Sequence, residues 1–188
     1  RKAHGSQTFA QIVENSCNVG FVNVGLDLGM DKYFKYLHGF GFGQPTGIDL
    51  PGEAKGILVN QANAKQIDLA TMAMGQANAV TAMQLTNAVA AVANGGKLMK
   101  PHLLRQVLDT EGNVVKTIEP EVIRQVISEP TAKELCNILE GEVTNGTGRN
   151  AYIEGYRVGG KTGTAQKIAP GGGYLANEYV ASFIGLAP

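Results

Sequence analysis

The end of the chain constrains its fold more than any other part. Tyr156 to Lys167 and Tyr179 to Leu186 read as two extended runs joined by Pro170-Gly171-Gly172-Gly173. Proline and glycine clustered between extended runs mark a reversal, so the two runs are expected to pair antiparallel. Upstream, the pattern is helical. Thr8 and Gln11 have the spacing of a capping box, and Phe9, Ile12 and Val13 then lay down an apolar stripe. Phe21, Val24 and Leu28 form a second apolar segment that closes at Gly29, and Asp31 is placed to cap a short helix carrying Tyr33, Phe34 and Leu37. Gly39 to Gly52 reads as a loop. Thr81 and Gln84 open the clearest helix, with Leu85, Ala88, Val89 and Val92 inward and Asn94-Gly95-Gly96 as its stop. Leu103 to Leu108 and Val114 to Ile118 flank a turn at Asp109–Asn113 and read as a hairpin. Thr131 and Glu134, beside Pro130, make a third capping box for a helix bearing Leu135, Ile138 and Leu139, ending before Asn145-Gly146-Thr147-Gly148. Helices first and an antiparallel pair last predict an α+β fold rather than an alternating doubly wound one.

Composition removes several functions. The 188 residues suit one domain or a large piece of one, and 16 basic against 16 acidic side chains give a formal charge of zero. Such a balance supplies no electrostatic grip on nucleic acid or anionic lipid. No apolar run nears the roughly 20 residues of a membrane span. Cys17 and Cys136 are too few for a disulfide framework and form no CxxC, so they read as packed thiols, with a bridge between them left open.

Three patterns compete to carry chemistry. Gly155-Tyr156-Arg157-Val158-Gly159-Gly160-Lys161-Thr162 matches the letters of a phosphate-binding P-loop, but that motif needs a buried strand before it and a helix after it. Here the preceding residues are polar and Pro170 with three glycines soon follows, so a nucleotide-binding role is a remote alternative. Gly41-Phe42-Gly43-Gln44-Pro45-Thr46-Gly47 is one residue too long for a dinucleotide fingerprint and reads as loop.

The third is a constellation of Ser16 and Asn18 at a helix end with Lys161-Thr162-Gly163-Thr164 on a late strand. A hydroxyl beside an ammonium can pass a proton to a leaving amine. An Asn amide can hold a substrate amide through both donor and acceptor. A Lys charge and Thr hydroxyls suit a substrate carboxylate, and a glycine beside them lets an extended peptide lie along the strand edge. Taken singly, Ser16 and Asn18 could merely cap a helix, and Lys161 could be a solvated surface lysine.

Five landmarks together are far more specific. Glu14-Asn15-Ser16-Cys17-Asn18, Phe40-Gly41-Phe42-Gly43 with Thr46-Gly47-Ile48-Asp49-Leu50-Pro51-Gly52-Glu53, Met74-Gly75-Gln76, Gly146-Thr147-Gly148 and Gly160-Lys161-Thr162-Gly163-Thr164-Ala165 resemble, in order and approximate spacing, the transpeptidase domain of class B penicillin-binding proteins. The Ser-Cys-Asn triplet and the tail Tyr179–Pro188 look most like the sporulation-specific branch and its division relatives.

The resemblance implies the penicillin-binding transpeptidase fold, a helical subdomain plus part of an antiparallel sheet, with no cofactor and no metal. It implies that Ser16, helped by Lys161, relays a proton and that Asn18 positions the acyl-donor peptide. Thr162 and Thr164 would bind the terminal D-alanine carboxylate or that of a β-lactam, along Gly163, and the Thr164 N–H would be one of two oxyanion donors. The family's nucleophile lies in a Ser-x-x-Lys motif. No such motif occurs here, since Thr164-Ala165-Gln166-Lys167 matches only with threonine and lies within the strand motif. Residues 1–188 are therefore expected to be the C-terminal part of one transpeptidase domain, lacking the Ser-x-x-Lys segment and a final strand and helix, and inactive alone. The whole protein is expected to cross-link peptidoglycan stem peptides ending in D-Ala-D-Ala. It would be covalently inhibited by penicillin, work with other cell-wall synthesis proteins, and be membrane-anchored on the extracytoplasmic side of a bacterial envelope. A D,D-carboxypeptidase or β-lactamase, and a non-enzymatic scaffold of the same fold, are the alternatives. Cys17, between two site residues, is also a candidate point of redox sensitivity.

Overall fold

The computed structural model describes residues 4–187. Pro188, which figures in the sequence reading, lies outside that range. Six α-helices and six strands are described: α1 Phe9–Glu14, α2 Asn18–Leu28, α3 Met30–Gly39, α4 Gln66–Ala73, α5 Ala82–Ala93, β1 Lys97–Met99, β2 Gln106–Leu108, β3 Val114–Thr117, β4 Val122–Gln125, α6 Glu129–Asn145, β5 Gly159–Ile168 and β6 Tyr174–Leu186. All three strand pairs, β1–β4, β2–β3 and β5–β6, are antiparallel. The expected α+β class is what forms.

The capping boxes at Thr8 and Thr81 are present, each threonine accepting from the backbone three residues on while the glutamine there reaches back. The third start differs. α6 begins at Glu129 with Ser128 as its N-cap, so Pro130 sits in the first turn, where a missing N–H costs nothing. α3 likewise starts at Met30, one residue before Asp31, whose carboxylate accepts from Gln61 Nε2 at 3.1 Å instead of capping the helix.

Packing sets where the site forms. Phe34, Leu69 and Met72 make a buried cluster covered by Leu26, Met30, Tyr33 and Leu37. Burying a Phe such as Phe34 contributes about 2–3 kcal/mol. α2 lies directly on α4 because Gly25 faces Ala73, and a Cβ at Gly25 would overlap the alanine methyl at 2.5 Å. That close approach fixes the N-terminal end of α2 beside the Met74-Gly75 turn. On the other side, α6 packs against β5 and brings Val143 and Glu142 into full burial.

Candidate active site

The helix end at Ser16 is a sharp elbow. α1 stops at Glu14, Ser16 takes a left-handed conformation (φ 48°), Cys17 is extended as the N-cap of α2, and Asn18 is that helix's first residue. The turn is held by Ser16 N–H donating to the Val13 carbonyl and Cys17 N–H to that of Ile12, at 3.1 and 3.0 Å. A left-handed non-glycine residue costs on the order of 1 kcal/mol or more, a strain that concentrates at functional sites.

Across from the elbow runs the edge of β5. Its register with β6 pairs Lys161 with Ile184, Thr162 with Phe183, Gly163 with Ser182 and Thr164 with Ala181. A Cβ at Gly163 would lie 2.6 Å from the Ser182 Oγ, so any other residue there would make that hydroxyl turn aside. Ser16 and Asn18 on one wall and Lys161 to Ala165 on the other enclose a cleft of about 470 Å³, floored by Phe21, Met74 and Gly75. Residues more than a hundred positions apart in sequence thus meet in one cavity, as the constellation requires.

Within the cleft the polar groups divide into two sets. Among the described residues, the Ser16 hydroxyl, the Asn18 amide and the Thr164 hydroxyl make no side-chain hydrogen bond, which leaves them open to a ligand. Lys161 and Thr162 are engaged from below. Lys161 Nζ lies 3.5 Å from Glu142 Oε1, 3.2 Å from the Thr162 carbonyl and 3.4 Å from Thr162 Oγ1. Thr162 Oγ1 donates to Glu142 Oε1 at 3.2 Å and meets Thr147 Oγ1 at 2.8 Å, while Thr147 Oγ1 donates to the same carboxylate oxygen at 2.6 Å. No hydrogen bond joins Lys161 to Ser16 among the described residues, although both line the cleft.

Glu142 escaped the sequence reading. Its signal was there: it falls four residues after Ile138 and three after Leu139, on the stripe of α6 that packs inward. An acid on such a stripe needs a partner, and Lys161 is that partner.

Cys17 points away from the cleft into a separate pocket bounded by His4, Ile12, Gly20 and Val24. The neighbouring His4 side chain, then the Gly20 N–H and the Gln7 side chain, favour its thiolate and lower its thiol to about 7. Cys136 sits on α6 with Sγ 3.8 Å from the Val92 carbonyl, and burial pushes its thiol up. Both are free cysteines, lining different pockets, so the bridge left open by the sequence is not formed. Alkylation by iodoacetamide should therefore separate them. Modification of Cys17 is expected to accelerate as pH rises through about 7, where the thiolate appears, with Cys136 slow over the same range. Peptide mapping of alkylated protein between pH 6 and 9 checks this, and equal rates at the two sites would refute it.

The P-loop letters do not make a P-loop. Lys161 and Thr162 lie inside β5, which begins at Gly159, later than Tyr156, and runs on to Ile168 with no helix following. Gly159 to Thr162 run in register with β6 instead of opening a helix whose N-terminus could face an anion. The nucleotide alternative falls with that finding.

Helices packed around a terminal antiparallel pair, with a Ser-x-Asn elbow facing a Lys-Thr-Gly-Thr strand, make up the fold of a penicillin-binding transpeptidase domain. The chain belongs to the penicillin binding protein transpeptidase domain family, whose model matches residues 1–188. It is 50% identical to stage V sporulation protein D of Bacillus subtilis (strain 168), over all of this chain and 29% of that protein. It is 33% identical to penicillin-binding protein PbpB of Mycolicibacterium smegmatis, over 96% of this chain and 29% of that one. Among solved structures, penicillin binding protein 3 of Mycobacterium tuberculosis complexed with ampicillin superposes with a TM-score of 0.90 at 32% identity, over 96% of this chain and 41% of the other. The transpeptidase domain of penicillin-binding protein 3 from Burkholderia pseudomallei gives 0.86 at 34%, over 100% and 54%. The chain spans about three tenths of the length of the first of these relatives.

Proposed function

We propose that this chain forms one wall of the active site of a D,D-transpeptidase that cross-links peptidoglycan stem peptides through an acyl-serine intermediate. The observation that carries the reading is the cleft itself, where Ser16, Asn18 and Thr164 stand with free hydrogen-bonding groups opposite one another. A peptide ending in D-Ala-D-Ala would lie along the β5 edge at Gly163. The Asn18 amide would pair with its backbone, Thr164 would hold the terminal carboxylate with Thr162 and Lys161 behind it, and the Thr164 N–H would face the developing oxyanion. Ser16 would hand a proton to the departing D-alanine amine, with the Lys161 charge lowering the cost of that transfer. The nucleophilic serine would come from a part of the longer protein outside this chain, which has no Ser-x-x-Lys. Without that serine no covalent route exists, so residues 1–188 alone would be inactive.

β-Lactams would enter as mimics of the same peptide end, as suggested by the ampicillin complex of the mycobacterial neighbour. The names of the relatives favour peptidoglycan synthesis in sporulation or division. The whole protein would work at the extracytoplasmic face of a bacterial membrane beside other wall-synthesis proteins, as the family resemblance implies.

Intact-mass spectrometry of the full-length protein after incubation with benzylpenicillin tests this reading. A stable adduct mapping to a serine of a Ser-x-x-Lys motif is expected. Rapid turnover of penicillin would instead favour a carboxypeptidase or β-lactamase, and no adduct on folded protein would favour the scaffold.

A further inference from the structure

Glu142 is fully buried, with no exposed surface at all. Its Oε1 collects the Thr147 hydroxyl, the Thr162 hydroxyl, the Thr162 N–H at 3.4 Å and the Lys161 ammonium. Its Oε2 is buried with no partner, pressed toward Gly148, where a side chain would have no room. A buried charge with one unsatisfied oxygen is costly, and apolar side chains of similar volume often replace buried ion pairs without loss of stability. The neighbours of this carboxylate are the two residues that the proposed function places behind a substrate carboxylate. From beneath the strand, Glu142 satisfies the Thr162 hydroxyl and opposes the Lys161 charge before any ligand arrives.

We propose that Glu142 is a positioning residue that holds Lys161 and Thr162 from beneath β5 and sets the net charge an incoming carboxylate meets at that end of the cleft. This rests on the transpeptidase reading. It makes the Lys161 end of the cleft close to neutral rather than cationic, so an anionic ligand is drawn in weakly but meets a lysine fixed in place. Removing the charge while keeping the shape should invert both properties. In Glu142→Gln the amide oxygen still accepts from Thr147 and Thr162, but the ammonium is left uncompensated and less firmly held.

The test uses the full-length protein and two ligands, benzylpenicillin and its uncharged methyl ester, with the initial binding and acylation steps separated by stopped-flow. For Glu142→Gln, the initial dissociation constant for the anionic ligand is expected to fall about fivefold while its acylation step slows about tenfold, with the initial binding of the ester unchanged. A purely structural role would weaken both ligands together and lower the melting temperature. Glu142→Met, which fills a similar volume without charge, is expected to show the same selective tightening and supplies the test where the glutamine variant folds poorly. If anion and ester respond alike in both variants, whether both are unchanged or both impaired, the inference is overturned while acylation of the unmodified protein keeps the function standing. If the unmodified protein takes no adduct, both fall.

Discussion

Lys161→Met in the full-length protein is expected to slow acylation by benzylpenicillin by roughly a hundred- to a thousand-fold, the size of effect seen when one electrostatic group is removed from an acyl-transfer site. The same change should also destabilise the fold. It removes the cation 3.5 Å from a carboxylate that has no exposed surface, and stranding one member of a buried pair costs about 2–4 kcal/mol when hydroxyls remain to hold it. The two losses separate in the double variant Lys161→Met with Glu142→Gln. Removing the stranded charge should restore most of the urea midpoint and leave acylation as slow as in the single variant. If the double variant recovered its rate along with its stability, Lys161 would have no part in the chemistry.

Gly96→Ala is expected to cost about 3 kcal/mol or more of stability, among the larger single-residue effects. Gly96 links α5 to β1 at φ +84°, and a Cβ there would overlap the Ile127 carbonyl, which is backbone and cannot swing aside. The carbonyl of Gly96 also accepts from Val126 N–H at 2.8 Å, so the chain cannot back away without breaking the approach to α6. Gly95→Ala is the control. It too has a positive φ, of 62°, but its new methyl would meet only the Glu129 Cγ at 3.6 Å, ordinary contact, and should cost about 1 kcal/mol. Urea unfolding of both variants checks the contrast through the midpoint at constant slope. Equal midpoints would mean that the Ile127 segment moves freely.

Much of this architecture was legible because its signals are local. The boxes at Thr8 and Thr81 are written in adjacent side chains and formed as expected. The closing strand pair was announced by the glycines of its turn and by its extended runs. What could not be read depended on distant partners. α4 was missed because Ile67 is left exposed while Leu69 and Met72 turn inward, which gives a short and weak stripe. β1 and β4 are three and four residues long, and only Leu98 of β1 is buried, too little for a periodicity. At the site, the residue types that would touch a ligand were visible as motifs. Glu142 showed only as an acid on the inward stripe of α6; what it does lies in the strand that packs over it, nineteen residues later in the Lys161 contact.

The two walls of the cleft stand far apart along the chain, Ser16 and Asn18 in one and Lys161 to Thr164 in the other. A ribosome adding about 5–20 residues per second needs roughly seven to thirty seconds to travel between them. Throughout that interval the strained elbow and the inward face of α2 have no opposite wall, and Glu142, once made, awaits its lysine. The pocket therefore cannot close before β5 has been made, and chain shortening that removes β5 removes one of its two walls entirely.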